Sequence, residues 1–429
     1  MTRNHSPDHW SGRATRSFEG ILHSLMALAA CGVMTANSAL AESTDEAPPR
    51  NDWIALSEED LNEGWIQLFD NRTLFGWKKQ TDANWRVADG AIHVDSGAAC
   101  LLTTTSRWAE FELRLEFSAS PEANGGVFLF TDGAPRRDRR DCLEIAIADA
   151  RHVYSTGAIV GREKSKAQPP GDGWHAMTIR AKGNAVVVAV DGQPTAKLTD
   201  PDRPRLGRIA LQFNRGALGY RNIQLRPLNL KPLFAGESLE AWKQYPEMAS
   251  RFSVTDEGAL QALGGPGLLE TRDEFADFVL QLVFKTNGER LNSGVFFRCI
   301  PGEKMNGYES QIHSGFEHGD RTRPTEGQAG TGAIFRRTQA RAVLSDDHRW
   351  CRKTIVVDGP HIVVWVEGIL VTDWTDTRAP DKNPRRGLRT RAGTIQLQGH
   401  DPTTDVLFRD IEIAELPRRP LADRSQDGE

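Results

Sequence analysis

The chain has 429 residues, of which 39% are hydrophobic and 26% are charged, so it has enough apolar material for a sizeable core. This composition excludes an intrinsically disordered chain and a polytopic membrane protein. With 53 basic against 58 acidic residues and a formal net charge of -5, the chain lacks the basic surface that nucleic acid requires, and we predict no nucleic-acid partner. At roughly 150 residues per domain, the length suggests two or three domains.

The N-terminal 41 residues have the organisation of an export signal. Arg3, Arg13 and Arg16 precede an apolar stretch over residues 21–34, and Ala39-Leu40-Ala41 provides a small-x-small cleavage site. The apolar stretch is shorter than the roughly 18 residues of a membrane span. We therefore predict a signal peptide over residues 1–41, no membrane span, and an exported protein that is periplasmic or extracellular.

A second processing site competes with the first. Leu28-Ala29-Ala30-Cys31 resembles a bacterial lipobox, in which the cysteine is acylated and becomes the new N-terminus. The alternative to a free exported protein is therefore a lipid anchor at Cys31.

The chain contains two related halves. Leu68-Phe69 followed by Trp77 recurs as Leu233-Phe234 followed by Trp242 at the same spacing, and further matches keep the same order along about 165 residues. A period this long predicts two whole domains, over residues 62–228 and 229–417. A linker over 42–61 precedes them, and a polar tail over 418–429 follows.

Each half is built of short alternating segments bounded by turn residues, which predicts β-strands. The first half has them at Phe111 to Phe117, Gly126 to Phe130, Met177 to Arg180, Ala185 to Val190 and Ile209 to Phe213. Asp191-Gly192 and Glu367-Gly368 are hairpin signals, and Ser57-Glu58-Glu59 can open one helical turn. The pattern predicts an all-β protein with two tandem two-sheet sandwiches of the jelly-roll type.

The second half contains six ordered motifs, which include Asn292 to Arg298, Gly307 to Ile312, Thr331 to Ile334, Val371 to Trp374 and Phe408 to Ile411. These motifs resemble the 3-keto-disaccharide hydrolase domain family, and the first half resembles it more loosely. The resemblance implies a concanavalin A-like sandwich that cleaves or binds 3-keto-sugars and related glycosides. Some members of the family act by elimination from the keto-sugar.

Strand parity predicts a polar surface in the second half. Side chains two apart share a strand face, so each of three strands sends a set of side chains to one side. If these strands are neighbours, the sets converge on a surface of amides, charged groups and an aromatic ring, which suits a carbohydrate ligand. The sets are Glu309, Gln311 and His313; Phe296 and Arg298; and Gln396, Gln398 and His400.

Only one carboxylate is expected on this surface, which disfavours a two-carboxylate glycosidase. A 3-keto group acidifies the hydrogen at C2, so one general base could start an elimination. We assign Glu309 or His400 as base or acid and Arg298 as the group that stabilises the enolate. Asn292, Gln311, Gln398, Phe296 and His313 are expected to bind the substrate.

Each assignment has a structural alternative. Arg298 could pair with Glu309 as a structural ion pair, and polar side chains on a sheet face could simply meet water. We expect Trp77, Trp242, Trp174 and Trp350 to be core residues. His313, His318 and Asp320 are close in sequence but indicate a solvated loop, so we predict no metal site, and the sequence identifies no cofactor.

The first half departs from the second at the candidate site. Phe130 replaces Arg298, Ala146 replaces Gln311, Ala148 replaces His313 and Asn214 replaces His400, whereas Glu144 matches Glu309. We therefore predict a degenerate first domain and a secreted glycoside hydrolase or lyase acting through the second. The alternatives are a non-catalytic, lectin-like glycan-binding protein and a structural surface protein, because a sandwich fold does not fix function.

Overall fold

The computed structural model describes residue 53 and residues 56–133, 141–166 and 171–417. The predicted signal peptide with Cys31, most of the linker and the tail over 418–429 lie outside the described residues. Ser57 caps a single short helix, as its sequence predicts, because its side-chain oxygen accepts a hydrogen bond from the amide of Asp60. The helix is α1, Glu58–Asn62.

The described part of the first sandwich contains thirteen antiparallel strands in two sheets. In chain order they are β1 (Ile66–Gln67), β2 (Trp77–Lys79), β3 (Arg86–Ala88), β4 (Ala91–Val94), β5 (Cys100–Trp108), β6 (Phe111–Ala119), β7 (Asn124–Thr131), β8 (Leu143–Ala148), β9 (His175–Lys182), β10 (Ala185–Val190), β11 (Gln193–Thr199), β12 (Gly207–Arg215) and β13 (Leu218–Pro227). The eight-stranded sheet has the order β11-β10-β9-β6-β13-β4-β3, with β1 also on β13, and the five-stranded sheet has the order β2-β5-β12-β7-β8.

The second sandwich repeats this topology. Its strands are β14 (Lys231–Phe234), β15 (Trp242–Lys243), β16 (Arg251–Val254), β17 (Leu260–Leu263), β18 (Gly267–Thr271), β19 (Phe278–Thr286), β20 (Ser293–Cys299), β21 (Tyr308–Ile312), β22 (Phe316–Glu317), β23 (Asp320–Pro324), β24 (Cys351–Asp358), β25 (His361–Val366), β26 (Ile369–Thr375), β27 (Thr394–Gly399) and β28 (Asp405–Glu415). The eight-stranded sheet runs β16-β17-β28-β19-β24-β25-β26 with β14 on β28, the five-stranded sheet runs β15-β18-β27-β20-β21, and β22 pairs with β23. The prediction of two tandem jelly-roll sandwiches is confirmed.

Both predicted hairpins form, and their turns explain the residues found there. Asp191 and Gly192 have φ of 49° and 74°, and Glu367 and Gly368 have φ of 51° and 74°. Two successive residues with positive φ match the right-handed twist of the flanking strands. The turns join β10 to β11 and β25 to β26.

The repeated Leu-Phe pair followed by a tryptophan eight residues after the phenylalanine has a structural cause. The indole N–H of Trp77 donates to the carbonyl oxygen of Leu68 at 2.6 Å, and that of Trp242 donates to the carbonyl oxygen of Leu233 at 2.9 Å. Each ring is buried, so the hydrogen bond satisfies the only polar atom of a large core side chain. The tryptophan thus ties the start of each sandwich to its core.

Two of the four tryptophans expected in the core lie elsewhere. Trp174 and Trp350 are half-buried, and an arginine guanidinium stacks on each ring, Arg221 at 4.2 Å and Arg409 at 4.3 Å from the centroid. These two tryptophans therefore recur in both halves because each forms a cation–π pair with an arginine, and not because they are buried in the core.

The two sandwiches share a continuous apolar contact. Trp108 and Trp365 meet with ring centroids 5.6 Å apart, and the core cluster of the first sandwich includes Val279, Val356 and Leu370 of the second. Residues at the start of the first predicted domain also pack on the second sandwich, since the carbonyl oxygens of Asn62 and Gly64 accept hydrogen bonds from its side chains. The sandwiches therefore have a built interface.

Within the described residues, no helix has the length and apolar character needed to cross a membrane. Cys100, Cys142, Cys299 and Cys351 are buried, as expected for small apolar side chains.

Candidate active site

The five-stranded sheet of the second sandwich carries a row of functional side chains across its four neighbouring strands. Phe296 on β20 is paired with Glu309 on β21 and with Gln396 on β27, and Gln396 is paired with Glu270 on β18. Residues paired across antiparallel strands project to the same side. We call this side of the sheet the site face.

A second row lies one step along the same strands. Gly294 pairs with Gln311 on one side, and the register of β20 with β27 brings Gln398 to its other side. A Cβ at Gly294 would lie 2.8 Å from Oε1 of Glu309, so the carboxylate occupies the space that a side chain would fill. Glycine thus lets Glu309 lie between the two glutamines.

Glu309 has the environment of a general base or acid. It is 7% exposed, and no hydrogen bond or ion pair reaches its carboxylate from the described residues. Burial raises the pKa of Glu309 to about 7, and the positive charges of Arg385, Lys353 and Arg336 offset this only in part. The carboxylate lines a pocket of about 70 Å³ together with Arg336, Arg337 and Arg385. A buried carboxyl that titrates near neutrality is suited to proton transfer.

Arg298 does not join the site face, contrary to the parity prediction. The pairing of β20 with β27 is interrupted between Phe296 and Cys299, and Arg298 has φ of 49°. This bulge turns the side chain away from Glu309. The guanidinium is fully buried and donates to the carbonyl oxygens of Ala276, Gly359 and Arg389 and to the carboxylate of Asp277. Arg298 is therefore a structural cation.

Arg385 brings positive charge to the site face instead. Its guanidinium lies 5.9 Å from the ring centroid of Phe296, and its Nε donates to the carbonyl oxygen of Met305 at 2.6 Å. The β20–β21 loop that contains Met305 also covers Gln396, since the amide of Met305 donates to Oε1 of Gln396. Sequence parity could not find Arg385, because it lies in a loop about 75 residues from Glu309.

Glu270 is a second carboxylate on the site face, which corrects the expectation of one. It is 2% exposed and accepts hydrogen bonds from Tyr245, Thr394, Gln396 and the amide of Gly302. Burial raises the pKa of Glu270, but these hydrogen bonds outweigh it and hold the pKa below its usual value. Glu270 is thus a fixed anion.

The spacing of the two carboxylates does not match a glycosidase pair. Three strand intervals separate the positions of Glu270 and Glu309, which is about 14 Å across the sheet. Retaining enzymes place their carboxyl groups about 5 Å apart and inverting enzymes about 6.5–9.5 Å apart. The strand positions of the two residues are thus widely separated, and the expectation that a two-carboxylate mechanism is disfavoured stays a prediction.

His400 and His313 lie at the far end of the site face. Each directly follows the end of its strand, four residues from the row of Glu309 and about 13 Å away at the rise of an extended chain. His400 is exposed and its Nδ1 lies 2.8 Å from a carboxylate oxygen of Asp401, whereas His313 is buried and its Nδ1 accepts a hydrogen bond from the amide of Gly315. Burial lowers the pKa of His313. Neither imidazole lies beside Glu309.

The amides at the second row are only partly satisfied. Asn292 and Gln311 both donate to Oε1 of Gln328, at 2.8 and 3.3 Å. The side-chain carbonyl oxygens of Gln311 and Gln398 are buried and accept no hydrogen bond in the described part of the chain. Such oxygens are acceptors for hydroxyl groups of a ligand.

No group of three or more metal-ligating side chains occurs among residues 56–133, 141–166 and 171–417. His313, His318 and Asp320 in particular do not form such a group.

The first sandwich keeps the geometry of this face but not its polarity. Phe128 pairs with Glu144, and Gly126 pairs with Ala146, in the registers found for Phe296 with Glu309 and Gly294 with Gln311. The positions of Glu270 and Gln396 are taken by Thr103 and Ala210. On this face of the first sandwich, four buried apolar side chains form a cluster instead: Leu101, Phe128, Cys142 and Ala210.

A family model for the 3-keto-alpha-glucoside-1,2-lyase-like domain matches residues 64–226 and again residues 229–414. The chain belongs to this family. Both sandwiches are copies of the family domain, and membership places the chain among carbohydrate-active proteins. The resemblance noted in the sequence is confirmed.

Several solved structures resemble one sandwich of this family protein. A candidate glycosyl hydrolase from Parabacteroides distasonis is 17% identical, with a TM-score of 0.37, over 41% of this chain and 98% of its own. Another from the same organism is 25% identical, with a TM-score of 0.35, over 44% and 85%. The carbohydrate-binding module CBM66 from Bacillus subtilis is 13% identical, with a TM-score of 0.29, over 35% and 94%. No curated protein matches the chain.

Proposed function

We propose that this chain is an exported lyase or hydrolase that cleaves 3-keto-glycosides on the site face of its second sandwich, with Glu309 as the proton-transfer group. The observation that carries the proposal is the state of Glu309, a buried carboxylate without a hydrogen-bond partner among the described residues, with a pKa of about 7. A structural carboxylate such as Glu270 is instead surrounded by donors. Family membership supports the choice of 3-keto-glycosides as the substrate class.

The chemistry needs one carboxyl group. Glu309 removes the proton at C2, which the neighbouring 3-keto group acidifies, and the electron pair of the C2–H bond forms the C1=C2 double bond. The C1–O bond breaks, and the departing oxygen takes the proton from Glu309. Addition of water to the unsaturated sugar then completes net hydrolysis.

The remaining groups bind and stabilise. Arg385, above Phe296, replaces Arg298 as the cation that holds the enolate oxygen at C3. The side-chain carbonyl oxygens of Gln311 and Gln398 accept sugar hydroxyls, and the ring of Phe296 offers an apolar surface to the pyranose.

The test uses the full chain and two aryl α-glucosides that differ only in oxidation at C3. We expect release of the aryl alcohol from the 3-keto compound and none from the ordinary glucoside. E309Q should lower the rate by roughly 100-fold to 10,000-fold, the usual contribution of a general base. Equal turnover by E309Q, or equal cleavage of the ordinary glucoside, would refute the proposal.

A second candidate function is glycan binding without cleavage. It is favoured by the two unpartnered amide oxygens of Gln311 and Gln398, which a sugar can satisfy without any proton transfer. Binding of the ordinary glucoside by wild-type and E309Q protein alike, with no turnover of either compound, would support this function over the first.

A further inference from the structure

Lys353 is a lysine in the core of the second sandwich. It lies on β24 of the eight-stranded sheet, is fully buried, and shares its strand face with the core residues Cys351, Ile355 and Val357. A buried ammonium in an apolar core is costly and requires partners. A lysine at this position is therefore not explained by packing alone.

The side chain crosses the sandwich and reaches the strand that carries Glu309. Nζ donates to the carbonyl oxygen of Gln311 at 2.7 Å and to that of Ser310 at 3.3 Å. Ser310 follows Glu309 directly, and Gln311 is the next residue on the site face. Lys353 thus contacts, from inside the sandwich, the peptide groups that hold the site residues outside it.

The first sandwich lacks the polar set of the site face, and it has a different residue at the position equivalent to Lys353. Lys353 is paired with Leu282, and in the first sandwich Met177 is paired with the equivalent Leu115. Met177 is also fully buried. The same core position therefore holds an apolar side chain of similar length beneath the face that lacks the polar set.

We infer that Lys353 is a positioning residue for Glu309, which fixes β21 from the sandwich interior and supplies positive charge behind the carboxylate. The inference rests on the proposed function for its kinetic consequence, but the electrostatic link between the two side chains stands apart from turnover. It assigns a role to a residue that does not touch the substrate.

The charged groups around Glu309 and Lys353 affect the pKa of both side chains. Arg385, Lys353 and Arg336 favour the ionised form of Glu309, and Glu309 and Cys351 favour the charged form of Lys353. Burial lowers the pKa of Lys353 to about 7 and raises the pKa of Glu309 to about 7, so the two groups titrate together. Loss of the lysine removes one of the three cations that keep Glu309 ionised.

The test is K353M in the full chain, which installs the residue of the first sandwich. The Glu309 carboxyl is titrated by ¹³C NMR in protein labelled at glutamate Cδ, with its resonance assigned from E309Q. We expect the apparent pKa of Glu309 to rise by roughly 1 unit, because a nearby opposite charge has been removed. K285M is the matched control, since Lys285 lies over Trp350 and is not among the charges that act on Glu309.

Two results decide the inference. A rise in K353M but not in K285M, with an unchanged melting temperature or a higher one, supports it. An unchanged Glu309 titration in folded K353M overturns it. If K353M does not fold, the same titration in K353Q applies, with the same two outcomes. The titration needs no substrate, so an inactive wild-type protein would refute the proposed function and leave this test intact.

A kinetic readout separates positioning from a merely structural role. If the proposed function holds, the acidic limb of the kcat/KM profile of K353M moves to higher pH together with the NMR titration of the free protein. A uniform loss of kcat/KM at all pH values, with the limb in place, would overturn the electrostatic link between Lys353 and Glu309.

Discussion

At Glu309, the proposed function depends on a carboxyl group that becomes ionised only as the pH rises to neutrality and above. Burial raises its folded-state pKa from the ordinary value to about 7, so it is protonated in mild acid and becomes a base as pH rises. We expect kcat/KM for a 3-keto-glucoside to increase with pH through about 7 and then to level off. Rates measured from pH 5 to pH 9 check this, and a flat profile across that range would contradict it.

The same shift has a consequence for stability. The folded protein binds more protons at Glu309 than the unfolded chain does between the ordinary glutamate pKa and about 7. The contribution of Glu309 to stability is therefore largest in mild acid and is lost as pH rises through about 7. E309Q should remove this component of the pH dependence, which denaturant titrations at several pH values would measure.

Gly294 matters because Glu309 fills the space above it. In G294A, the new Cβ would lie 2.8 Å from Oε1 and 3.0 Å from Cγ of Glu309, so the carboxylate must move. The contact is with the end of a flexible side chain, so we expect little change in melting temperature. A displacement of about 1 Å can cost roughly 100-fold in rate, and we expect kcat to fall by about that factor. An unchanged kcat would show that the carboxylate position is not critical.

Among the strands, parity predicted the site face where pairing is regular. Glu309 and Gln311 on β21 and Gln396 and Gln398 on β27 lie on one side of the sheet, because each strand is regular over these residues. The parity prediction was wrong on β20, where a bulge turns the side chain of Arg298 to the opposite side of the sheet. The repeat contained a signal for this, since the equivalent Phe130 is a core residue that also has positive φ, 62°.

Other site residues had no local signal. Arg385 comes from a distant loop, and Glu270 and Lys353 come from strands whose neighbours are set by long-range pairing. Only the comparison of the two halves could have drawn attention to Lys353, since its counterpart is methionine. Sequence therefore predicts which strands carry the site, and the fold determines what surrounds it.

Because Arg385 and not Arg298 lies at the site face, substitution of the two arginines should have different effects. R298M removes a buried cation, its hydrogen bonds to three carbonyl oxygens and its ion pair with Asp277, so we expect a loss of about 3–5 kcal/mol in unfolding free energy. R385Q changes an exposed side chain and should alter stability by less than about 0.5 kcal/mol. Its kcat should fall by roughly 100-fold, as for loss of an oxyanion donor. Chemical denaturation and turnover of both variants check this, and the reverse pattern would restore Arg298 to the site.

In the whole molecule, the duplication was visible in the sequence but the contact between the copies was not. Arg107 and Asp358 form a bidentate ion pair between the sandwiches at 2.5 Å, with side chains only 5% and 8% exposed. Neither residue belongs to a recurring motif. Interface residues face the other copy, so the internal repeat places no constraint on them.

This interface predicts that the two sandwiches unfold together. R107M removes the bidentate ion pair and should cost about 3–5 kcal/mol, as for other broken buried ion pairs. We expect a single unfolding transition in wild type and in R107M, shifted to lower denaturant in the variant. Tryptophan fluorescence and circular dichroism would show this, and two separate transitions in the wild type would mean that the sandwiches are independent.

The full chain is therefore the right object for assigning activity to one sandwich, and Glu309 and Glu144 are matched positions for doing so. The most direct measurement is kcat/KM of E309Q and E144Q on the same 3-keto-α-glucoside. The account predicts a loss of at least roughly 100-fold in E309Q and wild-type activity in E144Q. Full activity in E309Q, or an equal loss in E144Q, would contradict it.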